Sequence, residues 1–298
     1  MKLFITGAEG QLGSELQRQL REGSSVLGIV PPELSGAEIL ASKHSTLDIC
    51  DESAVKKTIR CFHPDVVFHC AAITDVDGCE SSPELVMRVN GEAVRNIAEA
   101  CEQIGAKLVY ISTDYVFSGE KGAPYREDDA CDPRTVYGRG KYLGERNAIK
   151  CCSRTFVVRT AWLYGRCGKN FVATILRKSS ETDELRIVND QVGNPTNAED
   201  LVWHLLRLAA TEAYGIYHCS GKGVCSWYDF GRAIVEMAGI ECRIRPCSTD
   251  EYPHVAHRPA YSVLDHGALE QTIGDYMRPW QSALKDFIMN LQMLEEKK

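Results

Sequence analysis

Short apolar runs alternate with segments of helical periodicity through the first half of the chain. Four runs have the continuous apolar character of strands that are covered on both faces of a sheet. They are residues 2–6, 65–70, 107–112 and 155–159. Between them, apolar residues recur at helical spacing over residues 11–20, 54–62 and 83–104. We place a further strand at residues 25–30, before Pro31 and Pro32. This alternation predicts a parallel α/β sheet.

The second half of the chain, after about residue 165, is less regular. Helical patterns cover residues 171–179 and 198–210, and a strand pattern covers residues 215–219. Ser226 and Asp229 have the spacing of a capping box at a helix start. We therefore predict a sheet domain over residues 1–165, with return segments around residues 186–218, and a smaller, partly interleaved substrate-binding domain over residues 166–298.

Composition and charge exclude several classes of protein. The 298 residues carry a formal charge of −7 and are 44% hydrophobic, which is typical of a globular protein that is not attracted to nucleic acid or anionic lipid. No apolar run is long enough to span a bilayer, and the N-terminal segment lacks the features of a secretory signal. The 13 cysteines are odd in number and many lie in apolar runs, which favours reduced thiols and a cytoplasmic location.

A glycine-rich loop follows the first strand and opens the first helix. Gly7, Gly10 and Gly13 stand at three-residue spacing, and small residues there let the backbone approach a pyrophosphate at the helix N-terminus. A glycine triplet alone is also found in ordinary turns. Its position after the first strand of an alternating α/β chain favours dinucleotide binding. The sequence therefore predicts a doubly wound Rossmann sheet.

Other segments bear on the cofactor. Asp48 would place a carboxylate beside the adenine ring, or else would belong to the N-terminus of the next helix. Ala71 and Ala72 end a buried strand, where small side chains permit either a close ribose or tight packing. The strand that we place at residues 25–30 ends without an acidic residue for a ribose 2′-hydroxyl. NADH and NADPH therefore both stay open.

Tyr137 and Lys141 have the spacing of a catalytic Tyr-x-x-x-Lys pair. In a helix they would lie one turn apart on one face, and a neighbouring ammonium would lower the pKa of the tyrosine toward a useful range for proton transfer. The glycines between them are poor helix formers, and the pattern alone is common by chance. Upstream, Thr113 follows the strand at residues 107–112, where α/β sheets bind ligands. Its hydroxyl would hydrogen-bond a substrate carbonyl that Tyr137 protonates.

The chain resembles the extended short-chain dehydrogenases/reductases and, within them, the dTDP-4-dehydrorhamnose reductases. The shared motifs run through nearly the whole chain. They are residues 7–13, 64–67, 71–72, 74, 76–77, 112–117, 159–165, 170–171, 190–196, 226–227 and 258–259. The resemblance implies an oxidoreductase that uses NADPH or NADH to reduce the 4-keto group of a nucleotide sugar, dTDP-4-dehydro-6-deoxy-L-mannose, to dTDP-L-rhamnose.

The resemblance also implies roles for individual residues. The catalytic residues are Thr113, Tyr137 and Lys141. The cofactor-binding residues are Gly7, Gly10, Gln11, Leu12, Asp48, Ile49, Ala71, Ala72, Thr74, Tyr137 and Lys141. The substrate-binding residues are Val76, Thr113, Asp114, Tyr115, Tyr137, Trp162, Asn170 and Arg258. An indole face suits the apolar face of a deoxysugar and an arginine suits a diphosphate, although a core tryptophan and a surface arginine are the alternatives.

Some members of this family bridge a dimer through magnesium and acidic side chains. Glu15 and Glu199 fall at matching places, but the third position, after Trp280, falls on Asn290. We therefore interpret both glutamates as solvated surface acids and predict no metal ligands, which leaves Mg²⁺ allowed by the resemblance but unsupported by the residues. A homodimer is allowed, and we expect no nucleic-acid or membrane partner.

Two other functions stay open on the sequence. A sugar-nucleotide dehydratase or epimerase keeps its NAD through the cycle, but dehydratases of this group follow the catalytic Thr with Asp-Glu, whereas Tyr115 follows Asp114 here. A non-catalytic relative, similar to the regulatory subunit of methionine adenosyltransferase, would bind a cofactor and a partner protein. The intact Thr113, Tyr137 and Lys141 count against it.

Overall fold

A six-stranded parallel sheet forms the centre of the computed structural model, which describes residues 1–295. In chain order the strands are β1 (Lys2–Thr6), β2 (Ser24–Ser25), β3 (Gly28–Ile29), β4 (Glu38–Ser42), β5 (Val66–His69), β6 (Lys107–Thr113), β7 (Thr155–Thr160), β8 (Leu163–Tyr164), β9 (Glu184–Val188), β10 (Val192–Gly193), β11 (Thr196–Asn197), β12 (Gly215–His218), β13 (Cys225–Ser226) and β14 (Arg243–Cys247). The order across the central sheet is β12-β7-β6-β5-β1-β4, and neighbouring strands are parallel. The predicted doubly wound fold is confirmed.

Helices cover both faces of this sheet. In chain order they are α1 (Gln11–Glu22), α2 (Glu52–Phe62), α3 (Val76–Glu80), α4 (Pro83–Val86), α5 (Ala93–Ile104), α6 (Val136–Cys151), α7 (Phe171–Ser179), α8 (Ala198–Ala209), α9 (Trp227–Ala238), α10 (Gly267–Ile273) and α11 (Trp280–Glu295). A π-helical segment, Met87–Glu92, joins α4 to α5, and a 3₁₀ turn covers Asp114–Val116. Helices α1 and α8 pack on one face, and α2, α5 and α6 on the other. Within residues 1–295, no helix has both the length and the apolar character needed to cross a membrane.

The chain changes direction across the sheet beside β1. From β1 it passes to β4 on one side, and from β4 it returns to β5 on the other side. The carboxyl ends of β1 and β5 therefore lie together, next to Gly7 and Ala71. Open α/β sheets bind ligands at such a switch point.

The second strand of the sheet lies further along the chain than the sequence pattern predicts. Residues 25–30 do not enter the sheet, because β2 and β3 form a small antiparallel hairpin in which Ile29 is 74% exposed. The strand that pairs with β1 is β4. It lies at the sheet edge with partly exposed residues, so it lacks the continuous apolar run of the inner strands. The prediction for residues 25–30 was wrong.

The second half of the chain builds its own apolar core. Helices α7, α9 and α11 pack around this core, and β9 pairs with β14 beside it. Ser226 and Asp229 form the reciprocal capping box of α9, as the spacing predicts. Helix α8 returns to the first core and β12 joins the edge of the central sheet. The division at residue 165 stays a prediction.

Candidate active site

The glycine loop lies at the carboxyl end of β1. Gly7 has a φ of 66°, and a Cβ there would lie 2.7 Å from the backbone nitrogen of Ala71. A Cβ on Gly13 would collide with the Gly7 carbonyl oxygen. The protein's own packing therefore requires these two glycines. Gly10 differs, because its φ is −75° and, among the described residues, a Cβ would meet the Gly7 oxygen alone, at 3.2 Å.

Gly10 leaves the N-terminus of α1 open. Within the described part of the chain no side chain caps this end, and the first turn of α1 carries no acidic residue. The corresponding ends of α7, α8 and α9 are capped by Asn170, Asn197 and Ser226. Unpaired N–H groups and the helix dipole favour an anion. The loop therefore fits the pyrophosphate of NAD(P)H, which can approach the backbone beside Gly10.

Gln11 and Leu12 begin this helix with different side-chain environments. Leu12 is buried in the apolar core, so we expect it to offer a bound pyrophosphate its backbone N–H rather than its side chain. Gln11 is half-buried, and its amide donates to the carbonyl of Lys169 at 3.4 Å. Their cofactor roles stay predictions.

The loop after β5 lies next to the glycine loop and carries the predicted cofactor residues Ala71 and Ala72. Ala71 and Ala72 are half-buried, and the backbone N–H of Ala71 donates to Thr6 Oγ1 at 3.3 Å. Asn90, from the π-helical segment, holds the backbone N–H and the carbonyl of Ile73, each at 2.8 Å. π-helical turns are frequent at functional sites. The sequence analysis missed Asn90, because one asparagine inside a helical pattern carries no signal.

Asp48, Ile49 and Thr74 lie at the margin of this site. Asp48 is exposed, and its carboxylate accepts from the backbone N–H of Cys50 at 2.9 Å, whereas Ile49 is buried in the apolar core. The N-cap of α2 is Asp51, so the alternative role at the helix end belongs to that residue. Thr74 is exposed. The cofactor roles of all three stay predictions.

The corrected second strand brings a cation to the cofactor edge. Lys43 follows the end of β4, and its ammonium lies 2.9 Å from the carboxylate of Glu9 in the glycine loop. Thr46 closes the turn, with its hydroxyl donating to the Lys43 carbonyl at 2.9 Å. After this strand, an acidic residue binds a ribose 2′-hydroxyl, whereas a cation accommodates a 2′-phosphate. Lys43 therefore lies at the position from which a cation would pair with a 2′-phosphate, and the sequence analysis missed it because the strand was misplaced.

Helix α6 carries Tyr137 and Lys141 one turn apart, as the spacing predicts. It begins at the N-cap Thr135, whose hydroxyl accepts from the backbone N–H of Gly138 at 2.9 Å. A side chain at position 138 would collide with the Tyr115 carbonyl oxygen. The glycine that disfavours a helix by propensity thus allows α6 to approach the end of β6 closely.

The tyrosine and the lysine titrate differently from the sequence expectation. Burial raises the pKa of Tyr137, and the Thr113 hydroxyl lowers it only in part. Burial lowers the pKa of Lys141 to about 7, against the raising effect of the Glu145 carboxylate. Lys141 Nζ lies 4.2 Å from the centroid of the Tyr110 ring. The expected lowering of the Tyr137 pKa was wrong, because desolvation of the phenolate raises this pKa and the neighbouring Asp114 carboxyl group raises it further.

The end of strand β6 and the 3₁₀ turn that follows place Thr113 and Asp114 beside Tyr137. Both residues are buried, and Thr113 Oγ1 lies 2.9 Å from Asp114 Oδ1 and accepts from the Tyr115 N–H at 3.3 Å. Burial raises the pKa of Asp114 to about 6, although the neighbouring Ser262 and Thr113 hydroxyls lower it in part. The Tyr115 ring lies edge-on to the Tyr137 ring at 5.6 Å between centroids. The structure therefore brings Thr113 and Tyr137 together at the carboxyl end of β6.

A buried ion pair holds α6 against the sheet. Glu145, one turn beyond Lys141, pairs with Arg159 of β7 at 2.8 Å and accepts from the Ser112 hydroxyl at 2.5 Å. Each charged side chain is 2% exposed. Removing one partner would leave an uncompensated buried charge. The pair therefore positions the face of α6 that carries Tyr137 and Lys141, a role that the sequence pattern did not indicate.

A cavity of about 320 Å³ adjoins Tyr115 and reaches into the second half of the chain. Its wall combines apolar and basic side chains. They include Phe171, Leu185, Trp227, Lys178, Arg186 and Arg258. Arg258 donates to the Tyr115 hydroxyl at 3.1 Å and pairs with Asp77. Asp77 also accepts from the backbone N–H of Ala256 at 2.9 Å, so it fastens this segment to α3. An apolar surface beside guanidinium groups suits a nucleotide diphosphate.

Three other predicted substrate residues either make contacts that support the fold or lie outside the cavity lining. The Trp162 ring stacks on Trp227 at 3.5 Å between centroids, so one of its faces is covered. The Asn170 carboxamide caps α7 and makes two hydrogen bonds to the backbone, each at 2.9 Å. Val76 is half-buried at the start of α3. Their substrate roles stay predictions, and Trp227, which the sequence analysis did not select, lines the cavity.

Glu15 and Glu199 are not solvated surface acids. Both side chains are largely buried, and the Arg18 guanidinium lies 2.5 Å from Glu15 and 2.9 Å from Glu199. The interpretation as solvated acids was wrong, because α1 and α8 pack together and enclose the two carboxylates with an arginine. Within residues 1–295, no group of metal-ligating side chains is assembled that would support Mg²⁺.

Comparison with known proteins identifies the family. The family described as the RmlD substrate binding domain matches residues 1–293. The chain belongs to this family. It is 41% identical over 287 residues to the spore coat polysaccharide biosynthesis protein SpsK of Bacillus subtilis, and the match covers 96% of each chain.

Two solved structures of the family are similar over almost their whole length. The dTDP-4-dehydrorhamnose reductase of Clostridium acetobutylicum has a TM-score of 0.93 and 42% identity, covering 98% of this chain and 100% of that one. The dTDP-4-dehydrorhamnose reductase of Bacillus anthracis, in complex with NADP, has a TM-score of 0.90 and 38% identity, covering 97% and 100%.

Proposed function

We propose that the chain reduces the 4-keto group of dTDP-4-dehydro-6-deoxy-L-mannose to give dTDP-L-rhamnose. It is an NAD(P)-dependent oxidoreductase of the RmlD family, and its substrate is a nucleotide sugar. One observation carries the proposal. Thr113, Tyr137 and Lys141 lie at the carboxyl ends of the parallel strands, on the same side of the sheet as the uncapped N-terminus of α1.

The ketone oxygen needs a proton and a hydrogen bond as negative charge develops on it. Bound NAD(P)H supplies a hydride to C4 of the sugar. Tyr137 donates the proton, and Thr113 donates a hydrogen bond to the same oxygen. Tyr137 keeps its hydroxyl protonated at neutral pH, as an acid in the reductive direction requires. Lys141, one turn away, binds the nicotinamide ribose and stabilises the tyrosinate after proton transfer.

The cavity beside Tyr115 accommodates the nucleotide part of the substrate. Arg258 is placed to pair with a phosphate, which would compete with Asp77 for the guanidinium. Phe171 and Trp227 offer aromatic surface to the thymine ring. Tyr115 lines the cavity and its ring lies against the Tyr137 ring. With the nucleotide in the cavity, the sugar would therefore lie between the cavity and Tyr137.

The alternatives are less well supported by the site. Elimination would need a second acid after Asp114, and Tyr115 stands there with its hydroxyl engaged by Arg258. That argues against a dehydratase. An epimerase or a regulatory subunit would have no net use for NAD(P)H, so consumption of the cofactor separates both from a reductase.

The direct test is cofactor oxidation by the purified full-length protein. We expect one NADPH or NADH to be consumed for each dTDP-L-rhamnose formed, with the product identified by mass spectrometry and NMR. dTDP-glucose, which has no 4-keto group, is the matched control and should leave the cofactor unchanged. If the protein binds NADPH but does not oxidise it with the ketone, the proposal is wrong.

A further inference from the structure

Asp114 is a buried carboxyl group beside the catalytic residues that the mechanism above does not use. The residue is 3% exposed. Its Oδ1 lies 2.9 Å from Thr113 Oγ1, and its Oδ2 is buried without a hydrogen-bond partner in the described part of the chain. An ionised carboxylate in such a place needs a partner of opposite charge or several hydrogen-bond donors.

The backbone N–H groups of Asp114 and Tyr115, on its own turn, offset the burial of the carboxyl group only in part. Tyr115 and Tyr137 lie close enough to interact electrostatically with the carboxyl group, and ionisation of either would add negative charge. Lys141, also on α6, lies over the Tyr110 ring. These surroundings favour the neutral acid.

The C-terminal segment packed against Asp114 supplies a hydroxyl rather than a cation. Ser262 lies beside the carboxyl group and lowers its pKa in part. Arg258, on the same segment, donates to the Tyr115 hydroxyl and pairs with Asp77. Among residues 1–295, no basic side chain donates a hydrogen bond to Asp114, and burial raises its pKa to about 6.

The protonation state of Asp114 decides what the Thr113 hydroxyl can do. A threonine has one hydroxyl proton, and the Thr113 oxygen already accepts from the Tyr115 N–H. An ionised Asp114 would accept the hydrogen bond of the Thr113 hydroxyl, so this hydroxyl could not donate to the substrate. A neutral Asp114 donates to Thr113 instead, which leaves the Thr113 proton free for the ketone oxygen.

We propose that Asp114 is a positioning residue that works as a neutral acid, donating to Thr113 Oγ1 and so directing the Thr113 hydroxyl toward the substrate ketone. This inference rests on the proposed function, because it requires Thr113 to stabilise the developing oxyanion. Loss of one such donor lowers turnover by about 100- to 1,000-fold in other enzymes. Ionisation of Asp114 should therefore lower kcat/KM by up to that amount.

Asp114→Asn tests the direction of this hydrogen bond. Its amide donates to Thr113 at every pH and occupies nearly the same volume. We expect wild-type kcat/KM to fall about tenfold per unit between about pH 6 and pH 8, as for a required neutral acid. Asp114→Asn should show no such fall in kcat/KM over this range and should exceed the wild type at the upper end. Asp51→Asn, which retains a good N-cap on α2, is the matched control and should keep the wild-type profile.

Two further measurements test the Asp114–Thr113 hydrogen bond and the Asp114 titration separately from the pH profile of kcat/KM. At about pH 8, Thr113→Val should lower kcat/KM more when it is made in Asp114→Asn than when it is made in the wild type. In the wild type at this pH, Asp114 is ionised and Thr113 already fails to donate to the substrate. ¹³C NMR of the aspartate carboxyl carbons, assigned by difference with Asp114→Asn, follows the titration without turnover. We expect a midpoint near 6 for Asp114.

The opposite results would overturn the inference. A loss of more than about tenfold in Asp114→Asn near pH 6, with normal NADPH binding and circular dichroism, would make the carboxylate the working form. A titration midpoint at or below about 4, the ordinary value for aspartate, would do the same. The NMR titration does not need substrate. It therefore distinguishes failure of this inference from failure of the proposed reductase activity.

Discussion

The proposed cofactor edge of the sheet, at the glycine loop, and the proposed substrate cavity, beside Tyr115, are built from different kinds of contact. The cofactor edge centres on one continuous segment, residues 7–13, whose backbone path depends on Gly7 and Gly13. The cavity brings Asp77, Tyr115 and Arg258 together from distant parts of the chain through an ion pair and a hydrogen bond. The first site is lined by backbone, and the second depends on individual side-chain partners.

This difference predicts how substitutions should act. Changes at the cofactor edge should matter where a side chain blocks the backbone, and changes in the cavity where a partner is lost. Tyr137 lies where the two regions meet. Cofactor binding, substrate binding and the chemical step should therefore be separable by single substitutions.

The largest effect is expected at Tyr137. Tyr137→Phe removes the proton donor and little else, so kcat should fall about 100- to 10,000-fold while KM and NADPH affinity change much less. Steady-state kinetics and calorimetry measure these quantities. Tyr142→Phe, on the same helix, is the matched control and should keep wild-type kcat. A near-wild-type kcat in Tyr137→Phe would remove this tyrosine from the mechanism.

The next effect separates two glycines of the loop. Gly10→Val should leave the fold largely intact, because a Cβ there meets the Gly7 oxygen at 3.2 Å, but should weaken NADPH and NADH binding by about 100-fold or more. Gly13→Val should lower the melting temperature as well, because its side chain collides with backbone. Calorimetry and thermal unfolding distinguish the two. Normal cofactor affinity in folded Gly10→Val would contradict the pyrophosphate assignment.

A smaller effect should be confined to the cavity. Arg258→Lys keeps the charge but loses the planar fork that pairs with Tyr115 and Asp77. We expect KM for the nucleotide sugar to rise about 10- to 100-fold, with kcat and NADPH affinity nearly unchanged. Arg126→Lys, at an exposed position, is the control. If Arg258→Lys changed the affinity for NADPH instead of the KM for the nucleotide sugar, the assignment of Arg258 to substrate binding would be wrong.

The smallest effect should distinguish the two cofactors. Lys43→Ala should weaken NADPH binding by about fivefold, or ~1 kcal/mol, because the lysine is partly exposed, and should leave NADH binding unchanged. The NADPH loss should shrink at high salt. Lys57→Ala, an exposed lysine on α2, provides the comparison. Equal losses for both cofactors would exclude a role for Lys43 at the 2′-phosphate.

The inner part of the sheet could be predicted from the sequence because burial on both faces imposes a continuous apolar run. Strands β1, β5, β6 and β7 follow that rule, and the glycine loop follows β1 directly. The edge strand β4 has one open side, so its apolar pattern is weak and the sequence analysis chose a surface hairpin in its place. Lys43, which follows β4, was missed with this strand.

The candidate site divides in the same way. The Tyr137 and Lys141 pair could be recognised because both residues lie within one helical turn, where spacing alone sets their relative position. The supporting contacts could not be recognised. Asn90 holds the loop after β5, and Arg159 pairs with Glu145, through residues that the sequence separates and the fold brings together.

The sequence by itself therefore determined the elements whose physical cause is local: strand burial, helical spacing, the glycine turn and the reciprocal cap of α9 by Ser226. Only the tertiary structure decided the quantities that depend on surroundings. Burial raises the pKa values of Tyr137 and Asp114, Arg18 encloses Glu15 and Glu199, and Trp227 covers one face of Trp162. Desolvation and long-range pairing are properties of the packed chain, because each depends on which distant groups exclude water from a side chain.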